Sequence, residues 1–161
     1  MLITADDIRK HRSVSLNLDD EKRLLTYIDE AEKLDIMPVI GVELYKDLHD
    51  NPQNHDLLLN GGYYDGEKRY CIGIKAADAL LSYARFILNN SVNATPFGVQ
   101  RKNALDSESV DDKTLYRHSN EAKNVGMAYL QQCVDFITFN TNSCGQHKKE
   151  IHQRKIRVIG E

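Results

Sequence analysis

Four residues near the end of the chain, Cys133, Cys144, His147 and His152, are of the types that bind transition metals and fall within one 20-residue stretch. A tetrahedral zinc site takes thiolate and imidazole ligands, and close pairs supply two of them from one turn of chain. Cys144 and His147 have such an offset, three residues. Cys133 instead falls on the apolar side of a helical pattern, where a small buried thiol is common. One reading is thus a small zinc- or thiol-dependent enzyme, resting on an incomplete ligand spacing.

Nucleophilic catalysis needs a thiol or hydroxyl beside a base, and such partners meet only in space. His11, His49, His55, His118, His147 and His152 all qualify by type, and no spacing singles one out. His118 shares a helical row with Leu115 and Ala122, which reads as a half-buried structural histidine. The acidic pairs Asp6-Asp7, Asp19-Asp20 and Asp111-Asp112 stand at predicted helix starts, where capping and the helix dipole account for them. Asn60-Gly61-Gly62 and Gly145 lack the Walker pattern and a preceding strand. No helix-turn-helix with exposed Arg, Asn and Gln emerges either. The residues point to no catalytic, cofactor or metal site, and the expectation is a non-enzymatic protein without a cofactor that acts through its surfaces.

The elements that carry those surfaces follow from periodicity. Thr4 caps a short first helix with Asp7 at its third position, running to about Arg12. A second helix starts at Asp19 or Asp20 and carries Leu24, Leu25, Ile28, Ala31 and Leu34 on one face, with Pro38 forcing an end nearby. Gly41 turns the chain into a third helix with Val42, Leu44, Tyr45 and Leu48. Residues 50–66 read as a helix–loop–helix link and not a hairpin, with positive φ at Asn60-Gly61-Gly62. Residues 67–90 show the clearest pattern: Tyr70, Ile74, Ala77, Leu81, Ala84 and Leu88 recur at helical spacing, with Lys75, Asp78, Ser82, Arg85 and Asn89 opposite. A polar loop runs from Thr95-Pro96-Phe97-Gly98 to about Asp111, and a last helix spans about 112–139. The predicted fold is all-α, a bundle of about five helices with two long ones (67–90 and 112–139), two polar loops and a short extended tail.

Composition agrees. At 161 residues the chain has one domain's length, and Leu, Ile, Val and Phe number 42, enough for a core. No apolar run approaches the ~18 residues of a membrane span. Three scattered cysteines argue against a disulfide framework, and the expected compartment is the cytoplasm. The net charge of −3 hides an asymmetry: residues 147–161 carry +3, leaving −6 on residues 1–146. The chain thus divides into a helical domain, 1–146, and a basic tail, 147–161. Ile151, Ile156, Val158 and Ile159 interleave with the tail's charges, and Ile156-Arg157-Val158 alternates like a short strand. The tail reads either as a solvated terminus, as a segment that docks on a protein, or as the arm of a nucleic-acid-binding regulatory module.

Several stretches then stand together in one order: Ile28 to Gly41 (IDEAEKLDIMPVIG), Leu44 to Leu48, Leu58 to Gly62, Gly73 to Ile87 and Thr95-Pro-Phe-Gly98. This order resembles prophage-encoded proteins of Bacteroides-type bacteria that are similar to the tailed-phage head-to-tail connector (head completion or adaptor) family. The resemblance covers about residues 2–104. It implies a helical structural protein forming a homo-oligomeric ring at the virion neck, docked on portal and tail proteins, with DNA passing through its lumen without sequence-specific binding. Before assembly such a protein would sit in the host cytoplasm. It implies no catalytic or cofactor residue. The long loop at 99–111 and the basic tail depart from the simplest connectors. Ring contacts would come from Tyr63, Tyr64, Phe97, Ile156, Arg157, Val158 and Ile159, all apolar or aromatic except the charged Arg157, although the tyrosines equally suit capping the bundle's own core.

Overall fold

Thr4 begins the folded chain as the sequence predicts. Its backbone N–H and its hydroxyl both donate to Asp7 Oδ2, at 2.9 and 3.0 Å, and helix α1 (Ala5–His11) follows. The computed structural model describes residues 1–14, 18–89, 92–95, 98–101 and 111–143. Helix α2 (Leu18–Ala31) leads into a wide π-turn (Glu32–Ile36) and a short α3 (Met37–Ile40). Helical structure thus passes through Pro38, contrary to the expected stop. A proline ring removes one backbone donor and crowds the carbonyl four residues back. The wider turn, in which Met37 N–H reaches back to the Glu32 carbonyl, loosens the ladder just before Pro38. Gly41, at φ +90°, ends the run instead.

Helix α4 (Val42–Asp50), a 3₁₀ turn (Pro52–His55) and the short α5 (Asp56–Asn60) come next. Two strands then replace the expected link: β1 (Gly62–Tyr64) pairs antiparallel with β2 (Arg69–Cys71), setting Tyr63 opposite Tyr70. A four-residue loop, 65–68, makes the reversal, with Asp65, Gly66 and Glu67 all at positive φ. At the hairpin's base the chain crosses itself closely. A Cβ on Gly61 would lie 2.4 Å from the Ile72 carbonyl oxygen, and one on Gly73 would lie 2.6 Å from Gly61 N.

Helix α6 (Ile74–Asn89) therefore starts seven residues later than the periodicity predicts, because Tyr70 belongs to a strand. A second antiparallel pair, β3 (Val92–Thr95) and β4 (Gly98–Arg101), occupies the start of the expected polar loop. Helix α7 (Asp112–Ser143) matches its prediction and runs four residues further.

The architecture is a mainly α-helical bundle around α6, which packs against α7 on one side and against α2 and α1 on the other. Ile74, Ala77 and Leu81 join Leu130, Cys133 and Phe136 of α7 in one core, while Ala79 and Phe86 join Ile8, Leu24 and Ile28 in a second. At Gly126 a Cβ would come within 2.9 Å of Leu81 Cγ, so the missing side chain lets α6 and α7 approach closely. Surrounding α6 reverses the reading of its polar face: Asp78 and Ser82 are buried. No helix among the described residues is long and apolar enough to cross a membrane.

Candidate functional site

The hairpin β1–β2 presents the largest exposed aromatic feature among the described residues. Tyr63 is 66% exposed and Tyr70 47% exposed, and their rings meet edge-to-face at 4.9 Å. Period-two alternation sends the next residue the other way. Tyr64 packs edge-on against Phe136 at 5.0 Å and Phe139 at 5.4 Å, both on α7. The two sequence-predicted tyrosines thus part company, Tyr63 outward and Tyr64 inward. The Arg69 guanidinium lies over the Phe139 ring, 5.3 Å from its centre, and Arg69 also pairs with Asp65 across the turn. Phe97, Ile156, Arg157, Val158 and Ile159 lie outside the described residues, as does the whole tail.

Beside the hairpin, Phe136 also lines an open, mainly apolar groove of about 270 Å³. Leu44 of α4, His55 of the 3₁₀ turn, Leu57 of α5 and Ile137 and Thr141 of α7 form its walls. Asp47 fixes this corner by accepting from Asn51 Nδ2 at 2.8 Å and by pairing with His55 Nε2 at 2.6 Å. Those two bonds hold the Asp47 carboxyl below its usual pKa.

A third feature was not legible as a pair. Glu32 in the π-turn and Asp78 on α6, 1% and 0% exposed, are neighbours in the bundle's interior. Glu32 accepts from the Tyr45 hydroxyl at 2.6 Å and from Leu2 N–H, and His49 Nε2 stands 3.6 Å away. Asp78 Oδ1 accepts from Ser82 at 3.0 Å, and Oδ2 has no partner among the described residues. Burial, and then the Glu32 charge, push Asp78 well above the carboxylate range. Burial and the bond to Glu32 likewise raise Tyr45. The sequence offers one sign of this arrangement: Asp78 is the lone charge in residues 76–84, a stretch otherwise apolar apart from Ser82 and the Tyr83 hydroxyl.

The thiols also regroup. Cys133 faces Cys71 of β2 with the sulfurs 3.8 Å apart, both buried, which bears out the reading of Cys133 as a packed thiol. When Cys71 ionises, the Cys133 S–H can donate to it, which draws Cys71 down to about 7. The same contact, and then burial, push Cys133 up. Cys144, His147 and His152 lie outside the described residues. Among the described residues no group of three or more His, Cys, Asp and Glu side chains is placed to hold a metal ion. His118 is exposed, not half-buried, because Ser119 takes the inward position and donates to the Ala84 carbonyl at 2.9 Å.

Residues 36–147 match the model of a family described as "Family of unknown function (DUF6712)". The match spans more than half of the chain, and the protein belongs to that family. Neither a curated protein nor a solved structure matches.

Proposed function

We propose that this member of the DUF6712 family is a structural, non-catalytic protein: one subunit of a homo-oligomeric ring that joins a phage portal to its tail and lets DNA pass. The observation that carries this reading is the exposed Tyr63–Tyr70 pair on a two-stranded hairpin. Tyrosine is enriched at the centres of protein interfaces, and a two-stranded sheet offers open edges for a further strand. A ring subunit needs such features, because its contacts are heterologous and each patch meets a different patch on the neighbour. The net −6 on residues 1–146 also suits a lumen that must not retain DNA, since phosphate binding depends on Lys and Arg. The motif order across residues 2–104 supplies the link to phage connectors, and the virion neck is the location that goes with it.

Native mass spectrometry over a concentration series tests the reading. The expected result is a closed oligomer free of metal, which Tyr63→Ser with Tyr70→Ser converts to folded monomer. A monomer at every concentration that also ignores portal protein overturns it. One zinc ion per chain, lost in Cys144→Ala, would favour a metalloenzyme instead.

A further inference from the structure

We infer that, in the free chain, the groove between α4, α5 and α7 is the seat of the chain's own tail, with Ile156 and Val158 as the inserted side chains. The inference goes beyond the ring reading and does not depend on it.

Four observations converge. First, the groove is small. Its volume of about 270 Å³ and its mainly apolar walls suit a few aliphatic side chains. Second, the described chain leaves from the groove's own rim. Thr141 lines it, α7 ends at Ser143, and 18 residues remain. The 13 residues from Ser143 to Ile156 can span up to about 40 Å, and Gly145 accommodates a reversal, so the tail reaches the groove with slack. Third, the charges match. Residues 42–60, which build one wall, carry Glu43, Asp47, Asp50 and Asp56 against Lys46 alone, a net −3, while residues 147–161 carry +3. The last turn of α7 holds no basic residue to complement its carbonyl end, and Lys148 and Lys149 follow shortly after it. Fourth, the pattern fits. In an extended segment Ile156 and Val158 would fall on one side and Lys155 and Arg157 on the other, so the apolar face suits the groove while the basic face suits the net acidic 42–60 segment. Because the tail is tethered beside its seat, even a weak contact is reinforced by a high effective concentration.

The test uses the full chain with Cys144→Ser and Lys155→Cys, which leaves only the buried Cys71 and Cys133 besides the new thiol. A nitroxide on residue 155 should erase the methyl NMR signals of Leu44, Leu57 and Ile137, unchanged on dilution and restored by reduction of the nitroxide. Adding Ile156→Asp and Val158→Asp should restore the signals while the rest of the spectrum stays that of the folded chain. Two results overturn the inference. One is no loss of those signals. The other is loss that appears equally in isotope-labelled, nitroxide-free chains mixed with nitroxide-bearing ones, which would place the tail in the groove of a second copy.

Discussion

Asp78 is held toward its neutral form by burial and then by the Glu32 charge, which outweigh the Ser82 hydroxyl that donates to it. Its pKa is raised above the unfolded value of 3.8, so between about pH 4 and its native value the unfolded chain has lost a proton that the folded chain keeps. Its contribution to stability is full below pH 4 and declines as pH rises. Urea unfolding at pH 5 to 8 should show wild-type stability falling relative to Asp78→Asn, whose amide fits the same space without titrating. A parallel pair of curves would refute the assignment. Asp7 has the opposite sign. Partial burial opposes it, but Lys10 and the Thr4 donors hold its pKa at about 2, so its contribution is present above pH 4 and lost as pH falls toward 2. The tyrosines separate at the same scale. Tyr63→Ser should change stability by no more than about 0.5 kcal/mol, as for an exposed site, and Tyr64→Ala should cost about 1–3 kcal/mol through its lost contacts with Phe136 and Phe139. Thermal melts of the two variants make the comparison.

Among the elements, the β1–β2 hairpin depends most on backbone shape. Gly73 sits at φ +94° where a Cβ would strike the backbone of Gly61 and Leu59, so Gly73→Ala should lose at least about 2 kcal/mol from strain and collision together. The resulting displacement of Cys71 should expose its thiol to Ellman's reagent at concentrations that leave the folded wild-type Cys71 and Cys133 unreacted. The hairpin was in fact legible. Asp65-Gly66 is a strong short-range hairpin signal, and Tyr63, Tyr64, Tyr70 and Cys71 flank it as a strand pair. The helical reading won at 67–73 because Tyr70 stands four residues before Ile74 and extends the α6 stripe by coincidence. Pro38 misled for another reason: a proline stop rule assumes a regular α-ladder, and the π-turn before it is not one.

For the whole molecule, the charge asymmetry sets the expected behaviour toward nucleic acid. With −6 on residues 1–146 and +3 confined to the tail, the chain should bind duplex DNA weakly in 150 mM salt, as read by fluorescence anisotropy. Tight, steeply salt-dependent binding that disappears on removal of residues 147–161 would contradict this and revive the nucleic-acid arm. The two-sided burial of α6 is likewise a property of the assembly. Replacing Gly126 with Leu should lower the melting temperature by forcing α6 and α7 apart, a loss of about 1–3 kcal/mol, although residue 126 is far in sequence from Leu81.

By itself the sequence determined what depends on near neighbours: the Thr4–Asp7 cap, the turn at Gly41, the apolar stripes of α6 and α7, and hence the all-α class. These are set by φ/ψ preference and by spacing along one element. Tertiary structure alone decided that Asp78 would face Glu32 across 46 residues, that Cys71 would meet Cys133, and that Asp78 and Ser82 on the polar side of α6 would lie inside the bundle. Periodicity shows which side of a helix is apolar; whether the other side meets water depends on partners brought in from distant parts of the chain.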